Sequence, residues 1–567
     1  MVNGEQDKTL SRRSMLKTSA GVGIGAALTG AIGATAAAGS SGNKTRPARF
    51  RLQSQDGTRI TFGLPWDAIT LNPIVEQDGV SYLVNLWIFD ALIRLDNSLQ
   101  PVPELAESWS ASEDGLTWEI KLRQGVTWHD GTPFSADDVA FTVYKILDPT
   151  TQTQYRGNFS ALVGYAELTD PDAPVTPEQL PQAPVEVVDP STVRFHLAAP
   201  FAPFLVQSLH LPIAPKHLLA DVDVNQAEFN TKPVGTGAWQ FVDWQKDNRL
   251  VLKAYDGYYG GRPQLDELVL RVIPDETVLL QELRTGGIEF MERVPREAVA
   301  DLQSSPEYQV ALVDNVGCSF ISFNTTHPVL SDKAVRQAVG CAVDMATFID
   351  AVLLGLALPA TGLYPPYTWM YEPDVRKYTY DPAQAEQLLD AAGWVKDGDS
   401  KRSKDGVPLK FTMSTFKGHE AGEQLLASAK EWLAAVGIEM EIQIIELAAW
   451  IDTLVNSTFE ATMSNWDGGI DPDDYGYGMY HSKGGRNRAK YVNPEIDAVL
   501  EQGRTELDQE QRKAAYSAFQ KIAAEDVPYL PVYHYQHIYA YRSQFSGFVP
   551  SPVPADIYRS VKAVAKQ

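Results

Sequence analysis

Apolar and polar residues alternate in RITFGLP (59–65), WEIKLR (118–123) and IEMEIQII (438–445), the period-two pattern of half-buried strands. WEIKLR follows the turn pair Asp114-Gly115 and reads as one arm of a hairpin. AWQFVDW and RLVLKAY flank the polar turn QKDN and predict a second antiparallel pair. LVLRVI (268–273), apolar at every position but Arg271, reads as a continuous apolar strand. Asp275 then caps a helix, Gly286-Gly287 ends it, and IEFM resumes an extended run.

Between 331 and 445 helical periods take over. In KAVRQAVGCAVDMATFIDAVL, Val335, Val339, Ala342, Ile349 and Val352 fall near one helical face. DPAQAEQLLDAAG has Asp381 as N-cap, Pro382 in the first turn and Gly393 just past the end. GEQLLASAKEWLAAVG is a further amphipathic helix. Helices alternating with strands predict α/β lobes. Residues 169–184 are proline-rich and predict a surface loop.

HDGTPFSADDV (129–139) gathers a histidine and three aspartates within a few positions, which raises the question of an active site. A structural account is simpler. Asp130-Gly131 supplies a turn, Ser135 precedes a helix, and Asp137 and Asp138 sit where the helix dipole favours negative charge.

Composition narrows the function. Of 567 residues, 72 are acidic and 48 basic, a formal charge of −24. Such a field excludes nucleic acid as a natural partner, because that binding needs clustered cations. It would also suit a salt-rich habitat. The two cysteines, Cys318 and Cys341, allow at most one bridge. They read as buried thiols, with a bridge left open for an exported chain. Nine histidines are scattered. Only His534 and His537 are close, and in a strand an offset of three points them to opposite faces. No metal site or cofactor is expected, and no nucleophile elbow, phosphate loop, HExxH or CxxC occurs.

The N-terminus reads as an address. SRRSMLK (11–17) precedes a weakly apolar Gly/Ala stretch, and Ala36-Ala37-Ala38 fits a cleavage site. The pattern resembles a twin-arginine export signal, with Met15 where Phe is common. Nothing after residue 45 reads as a membrane span, so a chain working outside the cytoplasmic membrane is expected.

PELAESWSASEDGLTWEIKLRQGVTWHDGTPFSADDVAFT (103–142) resembles the signature of family 5 extracellular solute-binding proteins, the oligopeptide, dipeptide and nickel-type receptors of ABC importers. The likeness continues in 233–291, in FNTTHPVLSDKAVRQAVGCAVD (323–344), in YDPAQAEQLLDAAGW (380–394), and in DPDDYGYGMYHS and YVNPEIDAVL. It implies an α/β, two-lobed periplasmic-binding-protein-like fold, hinge-linked, with an extra subdomain on the first lobe and a ligand cleft between the lobes. The implied map is a signal peptide at 1–38, a flexible lead at 39–58, lobe I at 59–75, 231–322 and 531–567, the extra subdomain at 76–230, and lobe II at 323–530. The implied function is capture of a small solute and its delivery to a membrane permease with a cytoplasmic ATPase, by a monomer and without catalysis. A short peptide is the expected ligand, an oligosaccharide the alternative, and an exported hydrolase a more distant one.

The resemblance also implies site residues. Peptide-binding relatives carry an aspartate between a Trp and an acidic-Pro pair, and that carboxylate meets the ligand's ammonium. Here NWDGGIDPDDYGYGMY (465–480) keeps Trp466 and Asp471-Pro472, but the loop is one residue shorter and Gly468 stands at the matching spacing. Asp467 is the candidate anion and Trp466 the candidate stacking surface. The Arg-Pro-Tyr element of dipeptide receptors is replaced by TFKGHEAGEQ (415–424), which leaves Lys417 and His419 for an anionic end. Trp66, Trp369 and Tyr475 complete the expected cleft lining.

Overall fold

The computed structural model describes residues 58–173, 175–398, 401–466, 469–553 and 559–567. The expected signal peptide and all of the expected lead except Thr58 lie outside the described residues, as does Asp467.

Twelve strands form the main sheet. They are β1 (Arg59–Leu64), β2 (Trp239–Gln245), β3 (Arg249–Ala254), β4 (Glu267–Val272), β5 (Phe290–Glu292), β6 (Tyr308–Asp314), β7 (Cys318–Phe323), β8 (Ala357–Pro359), β9 (Lys410–Phe416), β10 (Glu439–Ile445), β11 (Ala461–Trp466) and β12 (Tyr529–Arg542). Their order is β10-β9-β11-β7-β12-β5-β1-β4-β3-β2, with β6 and β8 also paired to β12. The expected hairpin is β2/β3, with Trp244 opposite Leu250. The continuously apolar run is β4, flanked by β1 and β3.

One strand joins the two halves. The first part of β12 pairs with β7, from Ser322↔Tyr529 to Ser319↔Tyr533. Its last part pairs with β6, from Asp314↔Gln536 to Tyr308↔Arg542, and with β5. The chain therefore crosses between halves at only two places near here, 314–318 and 533–536. Side chains tie the crossing together: Asn315 contacts His537, Gln536 Nε2 donates to Asp314 Oδ1 at 2.7 Å, and His534 Nδ1 meets the Gly317 carbonyl at 3.0 Å.

Two apolar cores each sit in one half, and a third, in which Leu86, Leu95 and Val206 pack with Phe320, Tyr364 and Tyr475, joins the halves. Ile60, Phe62, Leu268 and Phe290 of the first half share theirs with Trp128, Val139 and Phe195 of the 76–230 region. That region adds a separate antiparallel sheet, Ala106–Ala111, Thr117–Leu122, Thr192–His196 and Val185–Asp189, so it grows from the first core. The second core collects Ile321, Val335, Leu389, Phe411, Leu425 and Met463.

Local signals explain the helices. Asp275 Oδ1 accepts from Val278 N at 2.9 Å, and Gly286 closes that helix at φ +80°. Asp381 Oδ1 accepts from Gln384 N at 2.9 Å at the start of Pro382–Ala391. The run from Lys333 differs from expectation. It breaks into Lys333–Ala342 and Met345–Val352, because Asp344 turns its carboxylate onto the Thr347 N–H at 3.0 Å and starts a second helix. Cys318 and Cys341 are both buried and free, so the bridge left open is not formed.

HDGTPFSADDV is structural throughout. His129 is buried and bonded to the backbone of Gly237 and Gly235, and burial pushes its pKa down to about 4. Asp130 accepts from Thr132 N at 3.0 Å and from His217 at 2.7 Å. Asp138 accepts from the Ser135 and Lys216 N–H groups at 3.0 and 2.9 Å, and Asp137 pairs with Lys216 Nζ at 2.7 Å.

Candidate functional site

Parallel strands of an α/β sheet place their carboxyl ends on one edge, where loops are free to line a crevice. In the first half β1 runs parallel to β4 and β5. Their ends supply Trp66, Asp67, Glu292 and Arg293, which line a cavity of about 610 Å³ together with Lys246 and Asp247. Trp66 is 53% exposed, and the Arg293 guanidinium lies 4.8 Å from its ring centroid. Asp67 is held in place by the Trp244 indole N–H at 3.1 Å and the Asp247 N–H at 2.7 Å.

In the second half β9 runs parallel to β10 and β11. The end of β11 supplies Ser464, Asn465 and Trp466 to a second cavity, of about 370 Å³. Helix Leu447–Val455 forms one wall with Trp450, Ile451, Leu454 and Val455, and the loop 484–490 adds Arg486 and Arg488. The Arg486 guanidinium stacks 4.3 Å from the Trp466 ring centroid, at the favourable range for a cation over an aromatic face.

Glu292 lies opposite Tyr539 on β12, whereas Trp466 lies opposite Cys318, next to the crossing that packs on Tyr535. Four residues of strand separate Tyr535 from Tyr539, about 13 Å. Each half thus carries a cavity at its strand ends, joined through the crossing segments 314–318 and 533–536. The crossing is desolvated: burial pushes His534 and His537 down to about 4, with the Arg293 charge adding to the effect at His537.

The expected site residues disperse. Trp66 and Trp466 line the two cavities. Lys417 stands well exposed at the end of β9 and pairs with Glu446 at 3.0 Å. His419 stacks flat on Phe416, with centroids 4.9 Å apart, and its Nδ1 meets Thr415 Oγ1 at 3.1 Å. Burial lowers its pKa, so at neutral pH it brings no charge to an anionic end. Tyr475 is fully buried in the second half, edge-on to Tyr364 at 5.7 Å, and its hydroxyl donates to the Trp466 carbonyl at 3.0 Å. Trp369 packs beside Arg512, 5.7 Å from its guanidinium, and lines neither cavity.

The acids of DPDDY are also fully used. Asp471, Asp473 and Asp474 pair with Arg512, Arg504 and Arg486 at 2.6, 3.0 and 3.4 Å. Their work is to fix the turn after β11. Reading the sequence for charge missed Arg293, Arg486 and Arg488. The signal was present: GGRNRAK is a cationic tract in an acidic chain, and Arg293 directly follows β5.

Comparison with known proteins agrees with this architecture. Residues 100–488 match the model of bacterial extracellular solute-binding proteins, family 5. The chain is 30% identical over 549 residues to the oligopeptide-binding protein AppA of Bacillus subtilis, covering 94% of this chain and 96% of that one. It is 31% identical over 479 residues to di/tripeptide-binding protein 2 of Pseudomonas aeruginosa, covering 81% and 86%. The solved structure of AppA from Bacillus subtilis in complex with a nonapeptide aligns with a TM-score of 0.68 at 28% identity, over 90% of this chain and 99% of that one. With the family model matched over more than half its length and the fold shared, the chain belongs to the family 5 bacterial extracellular solute-binding proteins.

Proposed function

We propose that this chain is the receptor of an ABC importer that closes two lobes on a short peptide and hands it, chemically unchanged, to a membrane permease driven by a cytoplasmic ATPase. The observation that carries the reading is a two-strand crossing between halves that each hold a cavity at their strand ends. A connection of two strands lets the halves rotate as rigid bodies, and a ligand touched by both stabilises the closed state. The peptide class is supported by relatives named for oligopeptides and di/tripeptides. In this reading the lobe boundaries, expected at 322/323 and 530/531, move to the crossing segments 314–318 and 533–536. Trp66 and Trp466 are the aromatic contacts, and Asp467, which directly follows Trp466, is the partner of the ligand's ammonium.

Export through the twin-arginine signal over 1–38 belongs to the same reading. No helix among the described residues is long and apolar enough to cross a membrane. Replacing Arg12 and Arg13 by lysine is expected to leave the uncleaved precursor in the cytoplasm.

The direct test is to denature protein purified from its own cells and identify what it releases by mass spectrometry. Peptides are expected. Release of an oligosaccharide, or conversion of the released molecule by the refolded chain, would overturn the proposal.

A further inference from the structure

A further cavity, of about 520 Å³, lies in the first half and shares no lining residue with the two at the strand ends. The helix Gly79–Ile88 runs between it and the cavity beside Trp66. The start of that helix gives Gly79, Val80 and Leu83 to the Trp66 cavity, and its end gives Leu86 and Trp87 to this one. Trp239, at the start of β2, and Tyr258 add aromatic walls, and the chain after β12 supplies Arg559 and Lys562. The volume suits a small molecule.

Three acids, Asp90, Asp96 and Glu104, line this cavity with three cations, Arg94, Arg559 and Lys562. Two of the acids are spent. Asp96 Oδ1 accepts from the Ser98 and Gln100 N–H groups at 2.8 and 2.9 Å. Glu104 Oε2 accepts from Ala91 N at 2.9 Å and pairs with Arg559 at 3.4 Å. Asp90 differs. It is 4% exposed, its Oδ1 accepts from the Tyr258 hydroxyl at 3.4 Å, and its Oδ2, also buried, has no hydrogen-bond partner among the described residues. Burial, and then the Glu104 charge, push its pKa up, as happens to a carboxylate short of a cation. Trp239 is 1% exposed, and its indole N–H lacks an acceptor among the described residues. Arg94 is half-buried and enters no ion pair among them. Buried polar atoms are ordinarily satisfied, so an unmet acceptor and an unmet donor in the walls of one cavity call for a guest that offers both.

We propose that this cavity is a second binding site, for a small zwitterion of the free amino-acid class, whose ammonium meets Asp90 Oδ2 and whose carboxylate takes the Trp239 N–H and the Arg94 charge. A free amino acid carries both charged groups on one short stem, and the walls offer their complements within one small chamber. The inference goes beyond the receptor reading and does not depend on it, because no residue of the two strand-end cavities takes part.

The test uses the full mature chain, freed of bound ligand and titrated calorimetrically with the common free amino acids one at a time. Binding of one molecule per chain is expected for at least one of them. The same amino acid blocked as its N-acetyl derivative or as its amide should bind about tenfold more weakly or worse, the scale of a lost charged hydrogen bond. Asp90→Asn and Trp239→Phe should each weaken binding, and Trp466→Ala, in the other half, should leave it as in the parent. Thermal melting checks that the two buried variants are folded, and Arg94→Gln, at a half-buried position, gives a third variant that should weaken binding without touching the core. Failure of every free amino acid to bind at millimolar concentration would overturn the inference. So would equal binding of the blocked forms, or binding that survives Asp90→Asn and is lost in Trp466→Ala, which would place the amino acid beside Trp466 instead.

Discussion

Arg512 grips Asp471 with both arms of its guanidinium, Nη1 to Oδ2 at 2.8 Å and Nη2 to Oδ1 at 2.6 Å, with the two side chains 8% and 1% exposed. Asp471 also caps the short helix Pro472–Tyr475 by accepting from Asp473 N at 2.9 Å. The pair ties the helix Gln509–Asp526 to the turn that follows β11, and so fixes where Trp466 and the residues after it stand. Removing one partner would leave a buried charge alone. Arg512→Met should therefore destabilise the protein by ~3–5 kcal/mol in urea unfolding. Pairing it with Asp471→Asn should recover much of the loss; a double variant no better than the single one would show that the pair is not the cause.

The ammonium end is tested at Asp467. Its replacement by alanine should weaken peptide binding by ~1.5–3 kcal/mol, the scale of a charged hydrogen bond. Calorimetry with an N-acetylated peptide separates this from general damage, because the acetylated form should not feel the change. Equal loss for both forms would remove Asp467 from that role.

Trp466 offers its face beside the crossing, and Tyr475 supports its carbonyl from the core. Trp466→Ala should lower peptide affinity by ~0.5–1.5 kcal/mol beyond lost contact area, in keeping with aromatic packing. Lys417→Ala, at an exposed pair with Glu446, should change affinity by less than about 0.5 kcal/mol. Fluorescence titration of the two variants side by side checks the order; a larger effect at Lys417 contradicts the assignment.

Gly317 sits in the crossing with no room for a side chain. A Cβ there would meet the Tyr535 hydroxyl and lie 2.8 Å from the Trp466 carbonyl oxygen. Gly317→Ala should cost about 1–3 kcal/mol of stability, as overpacking does. It should also reduce the ligand-induced shrinkage seen by small-angle scattering. A variant that closes and melts like the parent would show that the crossing is slack at this point.

Glu76 is fully buried, accepting from the Tyr155 hydroxyl at 2.6 Å and from Asn85, and burial pushes its pKa up to about 8. Its unfolded value is near 4.5. Below 4.5 both states hold the proton and the group's contribution is intact; as pH rises toward 8 the unfolded chain gives up the proton first, and stability is lost. Glu76→Gln should flatten the fall in unfolding free energy between pH 5 and 8. An unchanged slope in denaturant titrations would mean that Glu76 titrates normally.

Much of the fold was legible because it is written locally. Strands β1, β3 and β4 follow from period-two or continuous apolar runs, and the helices at 276 and 382 from an aspartate cap and a closing glycine. Asp344 shows the limit. Its side chain can either face solvent in one helix or cap a second, and only the bond to Thr347 decides. The site was less legible. Tyr475, Trp369, Lys417 and His419 share composition with a ligand site, yet packing sends the first to the core, the second to Arg512 and the third to Glu446, and burial strips the fourth of its charge.

The sequence by itself determined strands β1, β3 and β4, the helix starts at 276 and 382, the acidic character and the family, because each rests on residue order over a few turns or on a long matched pattern. Only the tertiary structure decided which cations face the cavity. Trp66 and Arg293 meet because the parallel strands β1 and β5 end on one edge, and Trp466 at the end of β11 meets the loop 484–490, whose Arg486 stacks on its ring; no local pattern encodes either relation.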